Sequence, residues 1–411
     1  MTDTVPPIDR RRLLQGAALL GGAGLLAGCA TGRGGTVMLM SSVKASAGAP
    51  AAGAGFAPIH ASEERLFDIT VCLRPFRAAG PRIETEQVGD TLVVHNYGHG
   101  GSGWSLSWGS GTFAVRMAMA ASPAEVAVIG CGALGLTSAI LAQRAGAEVT
   151  IYARDWPTET RSARATGSFT PDSRIALVSK VAPGFPAQWE QMARISFHTY
   201  RNYLGLPGAP VEFTDRYFLA DASLGVAPAS DNPHPGALDF ASYGDLIRDL
   251  TPHATLLPPG ATPFPSHEVR RSSQLMFNIA DYAHTLMTDF LVAGGKLERR
   301  EFHDPAELAA LPQKVVINCP GYGARALWKD DSVVPVRGQI TWLMPQPEVN
   351  YGVYWGDMGV LSRRDGIVLQ MFDGGDMRGY GDDNETPDPG EAKTSVSRVA
   401  ELYSKFGKGA G

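Results

Sequence analysis

The sequence predicts an α/β protein of two domains, one of them built around a parallel sheet. The chain has 411 residues, about twice the usual length of a single domain. Residues 126–152 contain an apolar strand, a glycine-rich turn, an amphipathic helix and a second β-branched strand, in the order that connects two parallel strands. Glycine (48) and proline (29) are abundant while 44% of the residues are hydrophobic. This composition indicates many turns around a core and argues against disorder.

Charge and cysteine content exclude several classes of protein. The formal net charge is −5, and the body of the chain has no run of Lys and Arg, so a nucleic-acid partner is not expected. Four cysteines are too few for a disulfide scaffold. The sequence predicts no metal site.

The first 29 residues predict an export signal that is not part of the fold. Arg10, Arg11 and Arg12 precede an uncharged run of leucine, alanine and glycine that ends at Cys29, which is the arrangement of a signal peptide. The Arg-Arg-x-Leu-Leu order resembles a twin-arginine signal, and Leu-Ala-Gly-Cys resembles a lipoprotein cleavage box. We therefore expect export to the periplasmic or cell-envelope side, with a lipid on Cys29 or an uncleaved N-terminal anchor as the only membrane contact. Residues 30–60 predict a flexible tether.

Periodicity and turn residues predict the other elements in chain order. A strand is expected over residues 67–73, followed by a hairpin whose two-residue turn is Gly89-Asp90. Apolar residues at helical spacing predict helices over 104–119, 279–292 and 393–406.

The glycine-rich turn is a dinucleotide-binding motif. Gly130, Gly132 and Gly135 have the GxGxxG spacing between a strand and a helix. At these positions glycine permits a tight turn, close approach of the backbone to a pyrophosphate, and packing of the helix on the strand. The amides at the helix start, Ala133 and Leu134, would bind the phosphates. The motif leaves NAD(P) and FAD open.

The end of the second strand does not decide between these cofactors. Arg154 comes directly before Asp155. An acid at this position binds the ribose, whereas an arginine accommodates a 2′-phosphate and favours NADP. Both residues are candidates for cofactor binding.

The segments that follow resemble the D-amino-acid oxidase family of FAD-dependent oxidoreductases. Residues 160–169 resemble the flavin loop of that family, residues 315–324 its Ile-Asn-Cys-Thr-Gly strand and turn, and residues 337–339 its Arg-Gly-Gln. The resemblance implies FAD as the cofactor. The residues it places against FAD here are Thr160, Arg161, Ser162, Gly167, Cys319 and Gly321.

Two further family segments precede the glycine motif, although both lie near the C-terminus in the family. Residues 73–77 resemble a strand whose first arginine, Arg74 here, binds the substrate carboxylate. Residues 94–109 resemble the family's glycine loop. The residues it places near the flavin are His99, Gly100, Gly101, Ser102, Gly103, Trp104 and Ser105. The resemblance therefore covers most of residues 66–406 in circularly permuted order, a rearrangement that surface termini tolerate.

The fold class implied by the resemblance is α/β, with a Rossmann-type FAD-binding domain and a discontinuous α+β substrate domain that has a mixed antiparallel sheet. Residues 66–170 and 268–335 are assigned to the FAD-binding domain. Residues 171–267 and 336–406 are assigned to the substrate domain.

The activity implied is oxidation of a D-amino acid to an imino acid, with O2 as electron acceptor and H2O2 as product. Arg74 would hold the carboxylate, because a guanidinium offers a bidentate fork and stays charged. Its alternative role is a structural ion pair, in which case Arg77 or Arg364 would take its place. The Gly101 carbonyl would accept a hydrogen bond from the amine.

The pocket itself departs from the family pattern. Trp355 and Gly359 stand where the family has a tyrosine pair, with Tyr351 or Tyr354 as a substitute. The substrate is therefore open: the alternatives are an FAD oxidase of glycine, D-aspartate or secondary amines, and a flavin-binding surface lipoprotein without turnover.

Overall fold

The computed structural model describes residues 55–220 and 237–407. The predicted export signal, Cys29 and nearly all of the predicted tether lie outside these residues. Within the described part of the chain, no helix is both long and apolar enough to cross a membrane.

The strands and helices alternate along the chain. The strands are β1 (Leu66–Arg77), β2 (Thr85–Val88), β3 (Thr91–His95), β4 (Glu125–Ile129), β5 (Glu148–Ala153), β6 (Val211–Leu219), β7 (Thr255–Leu256), β8 (Val269–Phe277), β9 (Lys296–Arg299), β10 (Val315–Asn318), β11 (Val333–Leu343), β12 (Tyr351–Trp355), β13 (Met358–Arg363) and β14 (Gly366–Met371). The α-helices are α1 (Gly103–Ala118), α2 (Ala133–Arg144), α3 (Phe185–Tyr200), α4 (Ile279–Val292), α5 (Ala306–Ala309), α6 (Ala324–Leu327) and α7 (Pro389–Ser404).

A six-stranded sheet in the order β2-β3-β10-β4-β5-β9 contains the dinucleotide motif. All neighbours in it run parallel except the β2–β3 hairpin. Its central strand β4 is buried from Val126 to Ile129, as expected for a parallel strand covered on both faces. The hairpin predicted at Gly89-Asp90 is confirmed, because Val88 pairs with Thr91.

An eight-stranded sheet in the order β1-β11-β14-β13-β12-β6-β8-β7 forms the second layer. Its neighbours are antiparallel except for β12 and β6, so the mixed antiparallel sheet expected from the sequence is present. Strands β1 and β8 belong to this sheet, although their residues were assigned to the FAD-binding domain. Strand pairing thus divides the chain differently from the sequence-based domain boundaries.

Helices α1, α2 and α4 pack together over one face of the six-stranded sheet. Trp108 in α1 donates its indole N–H to the hydroxyl of Tyr282 in α4 at 2.7 Å, and both side chains are fully buried. The predicted helices 104–119 and 279–292 are confirmed to within one residue at each end.

The C-terminal helix begins earlier than the apolar periodicity predicts. Helix α7 starts at Pro389, since the Asp388 carboxylate accepts from the amides of Gly390 and Glu391 at 2.8 and 3.2 Å. An aspartate N-cap followed by proline is a strong helix start that a search for apolar periodicity overlooks. The helix covers the face of the eight-stranded sheet that is turned away from the six-stranded sheet.

Residues at the start of the described chain also join this core. Phe56 packs edge-on against Tyr217 and Tyr351, and Ile59 is 2% exposed. Of the predicted tether over residues 30–60, the structure thus places Ile59 in this core and packs the half-buried Phe56 against it, whereas Pro58 and His60 are exposed.

Candidate active site

A cavity of about 750 Å³ lies between the two sheets. Residues at the carboxyl ends of β4, β5 and β10 line it, among them Gly130, Arg154 and Cys319. Arg74 of β1 and Tyr354 of β12 line it from the other sheet. Clefts at the carboxyl ends of parallel strands are where α/β proteins bind ligands, and this volume is in the upper range of ligand pockets.

The glycine motif forms one wall of the cavity. Gly130 has φ +91°, and a Cβ at this position would lie 2.5 Å from the carbonyl oxygen of Cys319. A Cβ on Gly135 would lie 1.9 Å from the Gly130 carbonyl oxygen. Gly130 and Gly132 line the cavity, whereas Gly135 lies behind them against β4. Each glycine therefore serves the purpose predicted for it: a turn, an open approach and helix packing.

Two helix N-termini open into the same cavity. Helix α2 begins at Ala133, and its N-cap Gly132 has no side chain that could cap it. Helix α1 begins at Gly103, and the hydroxyl of its N-cap Ser102 makes no capping hydrogen bond. The first residues of both helices line the cavity. The Ala133 amide donates to the Ser162 hydroxyl, and the positive ends of the two helix dipoles favour anionic groups in the cavity.

Basic side chains outnumber acidic ones around the cavity. The basic residues that line it are Arg74, Arg154, Arg161, Arg164, Arg174, Arg216, Arg300 and Lys329, and the acidic ones are Asp155 and Glu301. This excess of positive charge favours bound molecules that carry several negative charges.

Arg154 is already neutralised by carboxylates. Its guanidinium binds Asp155 at 2.8 Å and lies 3.4 Å from Glu301. The hydrogen bond from Arg154 holds the pKa of Asp155 below its usual value. An arginine tied to two acids is poorly disposed to bind a 2′-phosphate, so the structure disfavours the NADP alternative.

The predicted flavin loop is held between α1 and α2. The Ser162 hydroxyl accepts from the amide of Ala133 at 3.1 Å, and the Ser162 carbonyl accepts from the Trp104 indole at 2.8 Å. Arg161 pairs with Glu385 and stacks over the Tyr322 ring. Thr160, Arg161, Ser162 and Gly167 all line the cavity, as do Cys319 and Gly321.

The glycine loop is fixed by backbone contacts that leave no room for side chains. Gly100 has φ +55°, donates to the Pro75 carbonyl at 2.9 Å, and would place a Cβ 1.9 Å from the Arg174 carbonyl oxygen. Gly101 donates to the Ser173 carbonyl at 2.9 Å. Both glycines line the cavity, together with Gly103 and Trp104.

Two predicted cofactor residues in this loop have another task. The Ser102 hydroxyl donates to the Ser173 carbonyl at 3.2 Å, and the Ser105 hydroxyl accepts from the amide of Thr170 at 2.8 Å. Neither serine is among the residues that line the cavity. Their assignment to the cofactor is corrected accordingly: both side chains bind the neighbouring segment 170–173.

His99 presents an unpaired nitrogen at the cavity wall. Its Nε2 lies 2.7 Å from the Ser110 hydroxyl, while its buried Nδ1 has no partner among the described residues. Burial lowers the pKa of His99 to about 3, so the imidazole is neutral near pH 7. A buried polar atom without a partner is costly.

Arg74 has the environment of an anion-binding residue. Its guanidinium donates to the Arg337 carbonyl at 3.3 Å and lies over Gly338, where a Cβ would come within 2.3 Å of it. No carboxylate of the described residues pairs with Arg74, which excludes a structural ion pair within that part of the chain. Burial lowers the pKa of Arg74, and a carboxylate bound beside it would favour its charged form.

Arg77 and Arg364, the two alternatives to Arg74 for binding the substrate carboxylate, interact with other residues. Arg77 donates to the Ser332 hydroxyl at 2.9 Å and to the Gly80 carbonyl at 3.0 Å. The side chain of Arg364 is 57% exposed, and its Nε lies 3.7 Å from a carboxylate oxygen of Glu212. Neither of them lines the cavity.

The side chains of Tyr354 and Trp355 lie on opposite faces of the eight-stranded sheet. Strand β12 turns Tyr354 toward the cavity, where its ring stacks between Phe218 and Phe372. Trp355 points to the opposite face and is buried in the core under α7. The prediction that Trp355 lies at the site is wrong, since neighbouring residues of a strand face opposite sides of the sheet.

Four arginines that line the cavity, Arg164, Arg174, Arg216 and Arg300, were not predicted from the sequence, and two of them are largely buried. Arg174 has φ +49° and donates to the carbonyls of Asp376 and Gly375 at 2.8 and 3.0 Å; burial, assisted by Arg74, lowers its pKa to about 10. Arg216 is 2% exposed in the middle of β6. The available signal was an arginine at an inward position of an apolar strand.

The residues of the cavity fit FAD, the cofactor implied by the resemblance. The glycine turn, the two helix starts and the excess of basic residues provide for a pyrophosphate and a polar ring system. His99 lines the same cavity.

Comparisons with known proteins identify related chains. The model of the DAO family, described as FAD dependent oxidoreductase, matches residues 125–409. A D-amino-acid oxidase from Dictyostelium discoideum is 25% identical over 296 residues, which cover 68% of this chain and 73% of that protein. A D-amino-acid oxidase from Rubrobacter xylanophilus is 30% identical over 220 residues, 53% of this chain and 58% of the relative. The structure of glycine oxidase from Geobacillus kaustophilus aligns with a TM-score of 0.44 at 14% identity, over 69% of this chain and 77% of that one.

Proposed function

This chain belongs to the DAO family of FAD-dependent oxidoreductases, and on that basis we propose that it oxidises D-amino acids. The observation that carries the proposal is Arg74, a buried arginine without a carboxylate partner in the described residues, in the cavity that holds the dinucleotide motif. The names of the relatives from Dictyostelium discoideum and Rubrobacter xylanophilus support a D-amino acid as the substrate.

The proposed reaction removes a hydride from the α-carbon and a proton from the nitrogen, which gives an imino acid. FAD, when bound, supplies the two-electron acceptor. O2 then takes up two electrons and two protons to give H2O2, and water converts the imino acid to a 2-oxo acid and ammonia.

The residues of the chain bind and orient the substrate. Arg74 holds the α-carboxylate through a charge-assisted pair, and the Gly101 carbonyl accepts from the amine. The Tyr354 ring forms the wall beside the side chain of the substrate. The start of α1 directs its free amides into the cavity, where they stabilise negative charge that develops during the reaction.

Anaerobic flavin reduction tests the proposal. The purified holoenzyme should be yellow, and a D-amino acid should bleach it while the L-enantiomer does not; in air, the same D-amino acid should yield H2O2. If only glycine or a secondary amine bleaches the flavin, the protein is an oxidase of that class of substrate and the D-amino-acid proposal is wrong. A yellow protein that no amino acid or amine bleaches would leave a flavin binder without turnover and refute the oxidase.

We also propose that the chain is a circularly permuted form of its family. The family match begins at residue 125, yet the preceding residues supply β3 next to β10 and β1 next to β11. Helix α1, which packs against α2, leads to β4 through only a few residues. The ends of the described chain are close together, because Phe56 and Phe406 both pack on Phe264, with ring centroids 5.7 and 5.4 Å away.

A rearranged chain tests the permutation. It begins at Glu125, runs to Gly407, continues through a flexible linker of about six residues into Phe56, and ends at Ala121. Because the cut falls in a connection and the linker spans neighbouring ends, we expect it to fold, to bind FAD, and to melt within about 5 °C of the natural order. An insoluble or flavin-free product would contradict the proposal; the natural order without residues 1–54 is the control.

A further inference from the structure

Arg216 is a buried arginine, 2% exposed, with no carboxylate partner in the part of the chain that the structure describes. Its Nη1 donates to the Ser168 hydroxyl at 2.7 Å and to the Tyr354 hydroxyl at 3.1 Å. Its Nε and Nη2 are buried and have no hydrogen-bond partner. Among the described residues no carboxylate forms an ion pair with Arg216. Gly352, the register partner of Arg216 on β12, leaves space beside its side chain.

Two acids of the same sheet pair with other arginines. Asp215, its neighbour in β6, binds the Ser273 hydroxyl and lies 3.9 Å from Arg271. Asp365 binds Arg363, a second buried arginine of the sheet. Arg363 therefore has a carboxylate partner where Arg216 has only two hydroxyls.

A buried charge without a partner is costly, so the position needs a reason. Arg216 lines the cavity, with Phe218 two residues along the same strand. Nε and Nη2 form one of the edges through which a guanidinium can bind a carboxylate by two parallel hydrogen bonds. An anion bound in the cavity next to Arg216 would provide this missing counter-charge.

We propose that Arg216 is a specificity-determining residue that binds a second carboxylate, so that the preferred substrates are D-amino acids with an acidic side chain. This inference rests on the proposed function, in which Arg74 takes the α-carboxylate. Two arginines without acid partners in the described residues then match two carboxylates, and the aromatic wall of Phe218, Tyr354 and Phe372 encloses the carbons between them.

Isosteric pairs of acids and amides test the inference in the FAD-loaded protein. Initial rates are measured for D-glutamate against D-glutamine and for D-aspartate against D-asparagine. Binding is measured without turnover, as the change in flavin absorbance on addition of succinate or its monoamide, succinamate. We expect the wild type to prefer the acid in both readouts by about tenfold or more, since a charge-assisted bond is much stronger than a neutral one.

The variants locate the preference. Arg216→Met should abolish it in both readouts while changing the constants for the amides by only about threefold, because a buried unpaired charge can be replaced by an apolar side chain without loss of stability. Arg270→Met is the control: it removes one positive charge from β8, where that side chain is 60% exposed, and should leave the preference unchanged.

Several results would overturn the inference. If the wild type does not distinguish the acids from the amides, the inference is rejected. This measurement needs no variant, so it decides the question even when Arg216→Met does not fold. An Arg216→Met protein that keeps the acid preference, or that changes only the reduction potential of the flavin, assigns the charge to another role. If no D-amino acid reduces the flavin but succinate still binds better than succinamate through Arg216, the proposed oxidase fails and the anion site stands.

Discussion

Replacing Arg74 by alanine should weaken substrate binding on the order of a hundredfold, about 3 kcal/mol, while the protein still folds and binds FAD. The effect is large because the guanidinium is buried and lacks a carboxylate partner in the described residues, so the substrate carboxylate is the group that completes it. The fold should tolerate the change, since the one hydrogen bond found for this guanidinium goes to the Arg337 carbonyl.

The measurement is the substrate dependence of flavin reduction under anaerobic conditions, which separates binding from the rate of reduction. Arg364→Ala is the matched control, because it removes an arginine that is 57% exposed and does not line the cavity. Unchanged affinity in Arg74→Ala would assign the α-carboxylate to Arg174 or Arg216, the other arginines at that end of the cavity.

Replacing Gly132 by valine should abolish stoichiometric FAD binding without unfolding the protein. A Cβ at this position would come 2.7 Å from the Ser162 hydroxyl, and the valine methyl groups would enter the space in front of the α2 amides. The hydroxyl is the end of a short side chain that can rotate away, so the steric cost falls on the cavity and not on the backbone. Negative groups of the cofactor would then lose access to the helix start.

Flavin per protein, measured by absorbance after gel filtration, reports the loss, and circular dichroism of the apoprotein reports the fold. Gly184→Ala is the control, since a Cβ there meets no atom within 4 Å. Gly135→Ala should behave differently: its Cβ would lie 1.9 Å from the Gly130 carbonyl oxygen, so it should lower the melting temperature as well. A Gly132→Val protein that retains FAD would show that the cofactor does not pass this turn.

The dinucleotide half of the site was predictable from the sequence because its determinants are local. Gly130, Gly132 and Gly135 lie within one strand–turn–helix unit, so spacing along the chain dictates their positions in space. Helix α4 was predicted over its observed range for the same reason: its apolar stripe and the glycines that end it are all within one segment.

Other features required contacts between distant segments. The sequence assigned Ser102 and Ser105 to the cofactor, whereas hydrogen bonds to Ser173 and Thr170 turn both side chains to a neighbouring loop. The ranges containing β1 and β8 were assigned to the FAD-binding domain, although both strands pair within the eight-stranded sheet. Such partners are separated by many residues, and no local pattern encodes them.

The sequence alone determined the turn that receives the nucleotide, the helices and the family. Only the tertiary structure decided which side chains form the substrate end. It turned Tyr354 to the cavity and Trp355 to the core, and it placed Arg216 in the cavity without an acid beside it in the described residues. The physical reason is that the face of a strand residue follows from pairing register and sheet packing, which depend on the whole sheet.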